Sequence, residues 1–314
     1  MNMNVKRAAL GLALAAALAP CGSAETAAQA ALDKGRLFIE RGDFDTAIEC
    51  FTDALKLDPN DALAYGWRGD AYHRKGDYDR EVADFTQVIK LNPNDASAYS
   101  SRGFAYRSKG DYDRAIADYT QAIRLDPNDA LAYSFRGAAY YFKGDYDRAI
   151  ADFTQAIKLN PNDASAYRWR GSAYLSKDDY DGALADYTHA IKLDPNDALA
   201  YYNRIDLYLN KGDYDGVIAD YTQIIKLDPN KASAYLGRGL AYRSKGDDDR
   251  AIADYTQGLK LDPNNASAYL GRGLAYRSKG DYDRAIADYT QALKLDPNDA
   301  LAKKGLELAR RRGR

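Results

Sequence analysis

Between Ala98 and Lys109 the residues read as a helix, and its polar and apolar positions separate into two sides on a wheel of ~100° per residue. Tyr99, Arg102, Gly103 and Tyr106 fall on one side, while Ser97, Ser100, Ser101, Phe104, Arg107 and Ser108 fall on the other. Gly110 supplies a stop. A second helix follows through AIADYTQAIRL, with Asp111 or Asp113 placed to cap its start. The segment Asp126-Pro127-Asn128-Asp129 closes that helix, because proline cannot continue it, and leaves Asp129 to cap the next.

This pair of helices recurs. After Pro20 the prolines stand at 59, 93, 127, 161, 195, 229, 263 and 297, always 34 residues apart, and a fixed period of that size marks a repeat array. Framed on Ala96–Asp129, eight repeats tile 28–61, 62–95, 96–129, 130–163, 164–197, 198–231, 232–265 and 266–299. Residues 300–314 begin a ninth first helix, a C-terminal capping helix with a basic tail. Within the chain, the Tyr99 side of the first helix recurs nearly unchanged and the Phe104 side varies.

The pattern Tyr133, Gly137, Tyr140, Ala149, Phe153, Ala156 and Pro161 resembles that of the tetratricopeptide repeat family, from Ala28 to about Leu308. The resemblance implies an all-α fold, a right-handed α-α superhelix of eight helix-turn-helix repeats whose concave face is lined mainly by first helices. This chain departs from the family in two columns. Tyr65, Tyr99, Tyr133 and their equivalents stand where tryptophan is usual, and Arg68, Arg102, Arg136, Arg170, Arg204, Arg238 and Arg272 stand where leucine is usual. A charge on a packed face needs a counterion. The second-helix column Asp84, Asp118, Asp152, Asp186, Asp220, Asp254 and Asp288 is the expected partner, forming an internal ladder; solvated charges at a groove edge are the alternative. In the first repeat both columns change together, to Lys34 and Cys50.

Composition narrows the function classes. The chain holds 27 tyrosines against 8 phenylalanines, which four packing slots per repeat (such as Tyr99, Tyr106, Tyr112 and Tyr119) account for. A base-stacking platform would need a basic groove, and the formal charge is only −2, or −4 without Lys6 and Arg7, so no nucleic-acid partner is expected. Ala8–Ala19 is an uncharged apolar run behind Lys6 and Arg7, too short to span a bilayer, so residues 1–24 read as a signal peptide and the chain as exported, periplasmic or secreted. Gly22–Ala24 offers a cut before Glu25. Leu18–Cys21 resembles the lipobox of bacterial lipoproteins, with Pro20 where a small residue is usual, and only a lipidated Cys21 would tie the chain to a membrane. Without those residues Cys50 is a lone thiol and no internal disulfide is available.

Chemistry finds little footing. His73 and His189 lie in different repeats with no ligand spacing, Cys50 has no histidine in its repeat, and the Gly-Arg-Gly runs at 237–239 and 271–273 lack a dinucleotide fingerprint. The Asp-Pro-Asn-Asp turns form no calcium loop. Asn265-Ala266-Ser267 matches a glycosylation sequon, and the arginines at 310, 311, 312 and 314 read as a solvated helix end. No enzyme activity, cofactor or metal is expected. The varying face instead carries the residues expected to bind a protein or peptide in the concave groove: Trp67, Asp70, Arg74, Phe104, Arg107, Phe135, Tyr141, Phe142, Arg168, Trp169, Asn203 and Asp206, with His73 among them. The slots of a chaperone-binding carboxylate clamp hold Gly66 with Asp70, Ser100 with Phe104 and Ser134 with Ala138, so that clamp is absent. The last two full repeats differ at three positions only, which suits an extending role. Glu81, in an alanine column, and Ile205, Val217 and Ile224, in place of smaller residues, predict altered helix spacing in the second and sixth repeats.

Overall fold

The computed structural model describes residues 24–313, so the signal-like segment, Cys21 and Arg314 lie outside the described residues. Seventeen helices and no strands are present among these residues. They fall into two compact units, one ending at Pro161 and the other beginning at Asn162. The first unit contains α1 (Ala24–Arg41), α2 (Phe44–Leu57), α3 (Ala62–Arg74), α4 (Tyr78–Leu91), α5 (Ala96–Ser108), α6 (Tyr112–Leu125), α7 (Ala130–Phe142) and α8 (Tyr146–Leu159). The second contains α9 (Ala164–Leu175), α10 (Tyr180–Leu193), α11 (Ala198–Lys211), α12 (Tyr214–Leu227), α13 (Ala232–Ser244), α14 (Asp248–Leu261), α15 (Ala266–Ser278), α16 (Tyr282–Leu295) and α17 (Ala300–Arg312). In each unit consecutive helices pack on one another through short turns, so neighbours run antiparallel.

The third repeat shows why these residues fold so. Asp95 caps α5 by accepting from the amides of Ser97 and Ala98 at 2.9 and 3.2 Å, and the helix begins at Ala96, two residues ahead of the expected start. Gly110 ends it at φ +78°, and the Asp111 amide reaches back to the Tyr106 carbonyl at 2.9 Å, closing a left-handed cap that a side chain at position 110 would strain. Asp111 then caps α6, accepting from the Arg114 amide at 3.1 Å. Asp113 is not the cap. It points away and forms an ion pair with Lys143, thirty residues on, at the joint to the next repeat. Lys75–Asp45 and Lys109–Asp79 repeat that link in the first unit; Lys211–Asp181, Lys245–Asp215 and Lys279–Asp249 do so in the second.

The arginine column is an internal ladder. In the first unit Arg102 donates through Nε and Nη2 to both oxygens of Asp118 at 2.8 Å, a fork-to-fork pair, and through Nη1 to Thr86 of the preceding repeat at 3.2 Å. Arg68 repeats this with Asp84 and Thr52, and Arg136 with Asp152 and Thr120. In the second unit Arg204, Arg238 and Arg272 hold Asp220, Asp254 and Asp288 and reach Thr188, Thr222 and Thr256, while Arg170 holds Asp186. All seven aspartates are buried. Each guanidinium also lies over the tyrosine three residues before it, Arg102 at 5.8 Å from the Tyr99 ring. The tyrosine that replaces the family's tryptophan is therefore the half-buried floor beneath the arginine that replaces its leucine. In the first repeat the ladder is missing on both sides: Cys50 is buried and Lys34 is exposed.

First and second helices touch most closely at a glycine. A Cβ on Gly103 would sit 3.0 Å from the Tyr119 ring, and one on Gly137 would sit 3.1 Å from Phe153. Ile205 occupies that place in α11, and Tyr221 is accordingly only half-buried, its ring end lying 2.2 Å from where a Cβ on Gly237 would be. α11 and α12 meet over a shorter stretch than α13 and α14, so the expected disturbance of the sixth repeat is present. The second repeat does not show it. α3 and α4 pack about as closely as α5 and α6, because Glu81 turns its carboxylate toward His73 instead of wedging the helices apart.

Candidate functional site

In the first unit the varying face of α1, α3, α5 and α7 is neither bare nor uniformly open. Arg107 lies 4.6 Å over the Phe104 ring and 5.8 Å over Phe135, and Phe104 meets Phe135 edge-on at 5.8 Å. Phe135 in turn contacts Tyr119, a fully buried ring of the core. Phe104, Arg107 and Phe135 are thus half-buried, packed on one another, and the wheel's division into packed and free sides is too sharp here. Even the Ser100 hydroxyl on the varying side is buried. Tyr141 and Phe142 close the end of α7: Phe142 stacks on Tyr112 at 5.8 Å, and Tyr141 meets Tyr146 at a tilt of 59°, 5.5 Å between ring centres. That places them at the turn, although Phe142 remains half exposed.

What stays open is a recess of about 580 Å³ lined by Ile39 of α1 with Trp67, Asp70, His73 and Arg74 of α3. Each wall has a distinct origin. The Arg36 guanidinium covers the Trp67 indole at 5.3 Å, and Arg36 also lies 3.8 Å from Asp33. His73 is held from behind by Glu81, whose carboxylate meets Nδ1 at 2.9 Å, and its ring packs 5.0 Å from Phe104. Glu81 is 2% exposed; burial pushes its carboxyl up to about 7, and His73 opposes that shift. Asp70 makes no hydrogen bond or ion pair among the described residues. The residue is exposed overall; partial burial of its carboxyl raises it from the ordinary range, with His73 and Arg74 opposing.

In the second unit Arg168 is not a free cation. Its Nε donates to Asp197 at 2.8 Å, binding α9 to the cap of α11, and its guanidinium lies 5.6 Å from the Trp169 ring. Asn203 is half-buried, and Asp206 is exposed like the equivalent Asp70. His189 stacks on Tyr167 at 4.2 Å, and Cys50, in the first unit, is buried with its thiol raised by burial, a setting that suppresses the reactive thiolate. Among the described residues no three His, Cys, Asp or Glu side chains converge as a metal site, and no helix is long and apolar enough to cross a membrane.

Three participants escaped the sequence reading: the Glu81–His73 pair, the Arg36 cover on Trp67, and Ile39. The first had a visible signal. Glu81 breaks an alanine column in the repeat that also carries one of only two histidines.

Stacked helix pairs joined by a repeating buried ladder, with variation confined to one side of the first helices, define a helical repeat protein. The family comparison agrees. Models described as tetratricopeptide repeat match residues 32–96 and 136–198, 85–117, and 198–231 and 266–299, and a TPR repeat model matches 103–142 and 239–277. The chain belongs to the tetratricopeptide repeat family. No curated protein matches it. Among solved structures, a tetratricopeptide repeat protein from Parabacteroides merdae is similar at TM-score 0.54 and 20% identity, over 91% of this chain and 99% of that one. The structure titled for PilF of Pseudomonas aeruginosa is similar at TM-score 0.57 and 17% identity, over 72% and 99%. A chain of the Cut9–Hcn1 hetero-tetramer of the APC/C matches at TM-score 0.47 and 22% identity, over 89% of this chain, which spans 55% of that chain's length.

Proposed function

We propose that this chain is a non-enzymatic scaffold that binds a protein or peptide partner on the varying side of its first helices, in the assembly of an envelope or secreted complex. One observation carries the reading: in the first unit the ladder and glycine contacts recur from repeat to repeat, whereas the varying side changes at every copy, with Trp67, Ser101 and Phe135 in one column and Asp70, Phe104 and Ala138 in another. A scaffold needs only the recurring part; the departures serve something else. Cross-linking capture with the full chain, set against a Trp67→Ala/Trp169→Ala variant, tests it. Loss of a specific partner is expected, and undiminished recovery by a folded variant rejects the assignment. Export rests on the segment ahead of Ala24. Its second form, a lipid-anchored envelope component, rests on Cys21, and the mass of the mature N-terminus separates a chain starting at Glu25 from a lipidated Cys21.

A further inference from the structure

In the second unit the half-buried arginines Arg168, Arg170, Arg204, Arg238 and Arg272 each hold a carboxylate. Arg243 of α13 and Arg277 of α15 are equally half-buried, yet neither pairs with an acid among the described residues. They stand at the same place of successive repeats, on the varying side of neighbouring first helices. The Nε of Arg243 is buried without a hydrogen-bond partner, and so is the hydroxyl of Tyr289, whose ring is fully buried. Both arginines bear on that tyrosine, opposing the rise that burial gives its phenol. Two cations of adjacent repeats thus converge where no anion is supplied.

We propose that α13 and α15 dock an acidic segment of the partner, with aspartate or glutamate carboxylates on Arg243 and Arg277 and neighbouring apolar side chains on Leu240 and Leu274. The inference rests on the scaffold reading above and names the partner chemistry that its last repeats select.

Charge complementarity sets the sign of the occupant. The helices α13 and α15 have one sequence, ASAYLGRGLAYRS, with two arginines and no acid. The ladder neutralises Arg238 and Arg272 through Asp254 and Asp288, so each helix keeps one unbalanced cation. In the next repeat Lys304 and Arg311 continue the Leu270 and Arg277 columns, and only Arg311 has an acid, Glu307 at 2.6 Å. Such a face repels a basic segment and attracts an acidic one.

The surroundings of the two arginines explain why they remain available. Arg107, their counterpart in the first unit, rests on Phe104 of its own helix and Phe135 of the next repeat. Around Arg243 those places hold Leu240 and Gly271, and around Arg277 they hold Leu274 and Gly305, so no ring covers either guanidinium. A guanidinium with a half-buried stem has already lost hydration and rotamer freedom, and a carboxylate gains more there than at an exposed lysine. Leu240, 47% exposed, lies one turn before Arg243. Each helix therefore offers apolar and cationic surface side by side, which suits the mixed side chains of a peptide better than a run of phosphates.

The experiment titrates the full chain by calorimetry with capped peptides Ala-Leu-X-Ala-Leu-X-Ala, X being glutamate, its neutral isostere glutamine, or lysine. Saturable binding of the glutamate peptide is expected, about tenfold tighter than the glutamine peptide and weakening as salt is raised. Arg243→Gln/Arg277→Gln should abolish that preference, whereas Arg107→Gln in the first unit should leave it intact. Sedimentation with phosphatidylglycerol vesicles is run beside it. Equal binding of the glutamate and glutamine peptides, preference for lysine, or no saturable binding would overturn the proposal. So would a preference that survives in the double variant, or binding to the vesicles with none to the glutamate peptide. The comparison of peptides on the wild-type chain decides the matter even where the double variant fails to fold. Its failure beside a partner captured through Trp67 and Trp169 would leave the scaffold reading standing, so the two are separable.

Discussion

Asp118→Asn tests the ladder most directly. The substitution keeps the shape of the side chain and removes its charge, leaving Arg102 with an amide where it had a fork-to-fork carboxylate at 2.8 Å on two atoms. Asp118 is buried and Arg102 is 18% exposed at the side chain, so water replaces little of the lost counterion. Breaking one partner of such a buried pair costs about 3–5 kcal/mol, and the residual exposure of Arg102 places this case near about 3. Removing both partners is different, because no charge is then stranded: Arg102→Leu/Asp118→Ala should cost about 1 kcal/mol or less, an apolar replacement being nearly neutral. The first repeat has already made an equivalent double change, with Cys50 buried in the aspartate place and Lys34 turned out to solvent. Urea unfolding of the wild-type chain, Arg102→Leu, Asp118→Ala and the double variant closes a double-mutant cycle, with a coupling of at least about 2 kcal/mol expected, and Asp118→Asn serves beside it as the isosteric control. Additive single and double effects would refute the ladder as a cohesive element and reduce it to a crystal-like contact between solvated charges. Because Arg102 Nη1 also reaches Thr86 across the joint, the single variants should lower the cooperativity between the second and third repeats as well as the midpoint.

Two further perturbations follow from local geometry. Glu81 titrates near 7 in the folded chain against an ordinary 4.5, so its contribution to stability is full below about 4.5 and is lost as pH rises through 7, about 3 kcal/mol in all; wild type should therefore lose ground to Glu81→Gln between pH 4.5 and 8 in parallel urea titrations, and a gap that does not change with pH would contradict it. Asp178, the one non-glycine described residue with a left-handed backbone, at φ +60°, stands where the other turns have glycine, so Asp178→Gly should raise stability by about 1 kcal/mol, and a lower unfolding midpoint would show that its contact with Tyr180 at 3.2 Å outweighs the strain.

Legibility divided along a physical line. Interactions repeated in every copy could be read, because a column compared with itself exposes its partner: arginine and aspartate change together in the first repeat, and the structure joins them. Helix ends were legible for the same reason, through Gly110 and Asp129, since capping is local chemistry. Asp111 and Asp113 stayed alternatives because cap and ion-pair aspartates look alike in sequence, two residues apart, and only the ion pair to Lys143 in the next repeat separates them. The varying side was read least well. Its aromatic residues were taken one at a time, whereas their exposure depends on neighbours from adjacent repeats, as Arg107 over Phe104 and Phe135 shows.

That difference bears on where function is to be sought. Seven copies of the ladder make any single rung replaceable in evolution, and the regular tyrosines and arginines carry no address for a partner. An address requires irregularity that the fold tolerates. In the second repeat four departures coincide: Trp67, the uncommitted Asp70, His73, and Glu81 in an alanine column. Glu81 is the telling one, since a carboxylate buried to 2% exposure loses stability as pH rises through about 7, a cost that the alanines of the neighbouring repeats do not carry. Its carboxylate holds the His73 ring, and the ring forms a wall of the recess. A costly residue whose effect is to position the wall of an open, charged recess is better accounted for by what enters that recess than by the stability of the array.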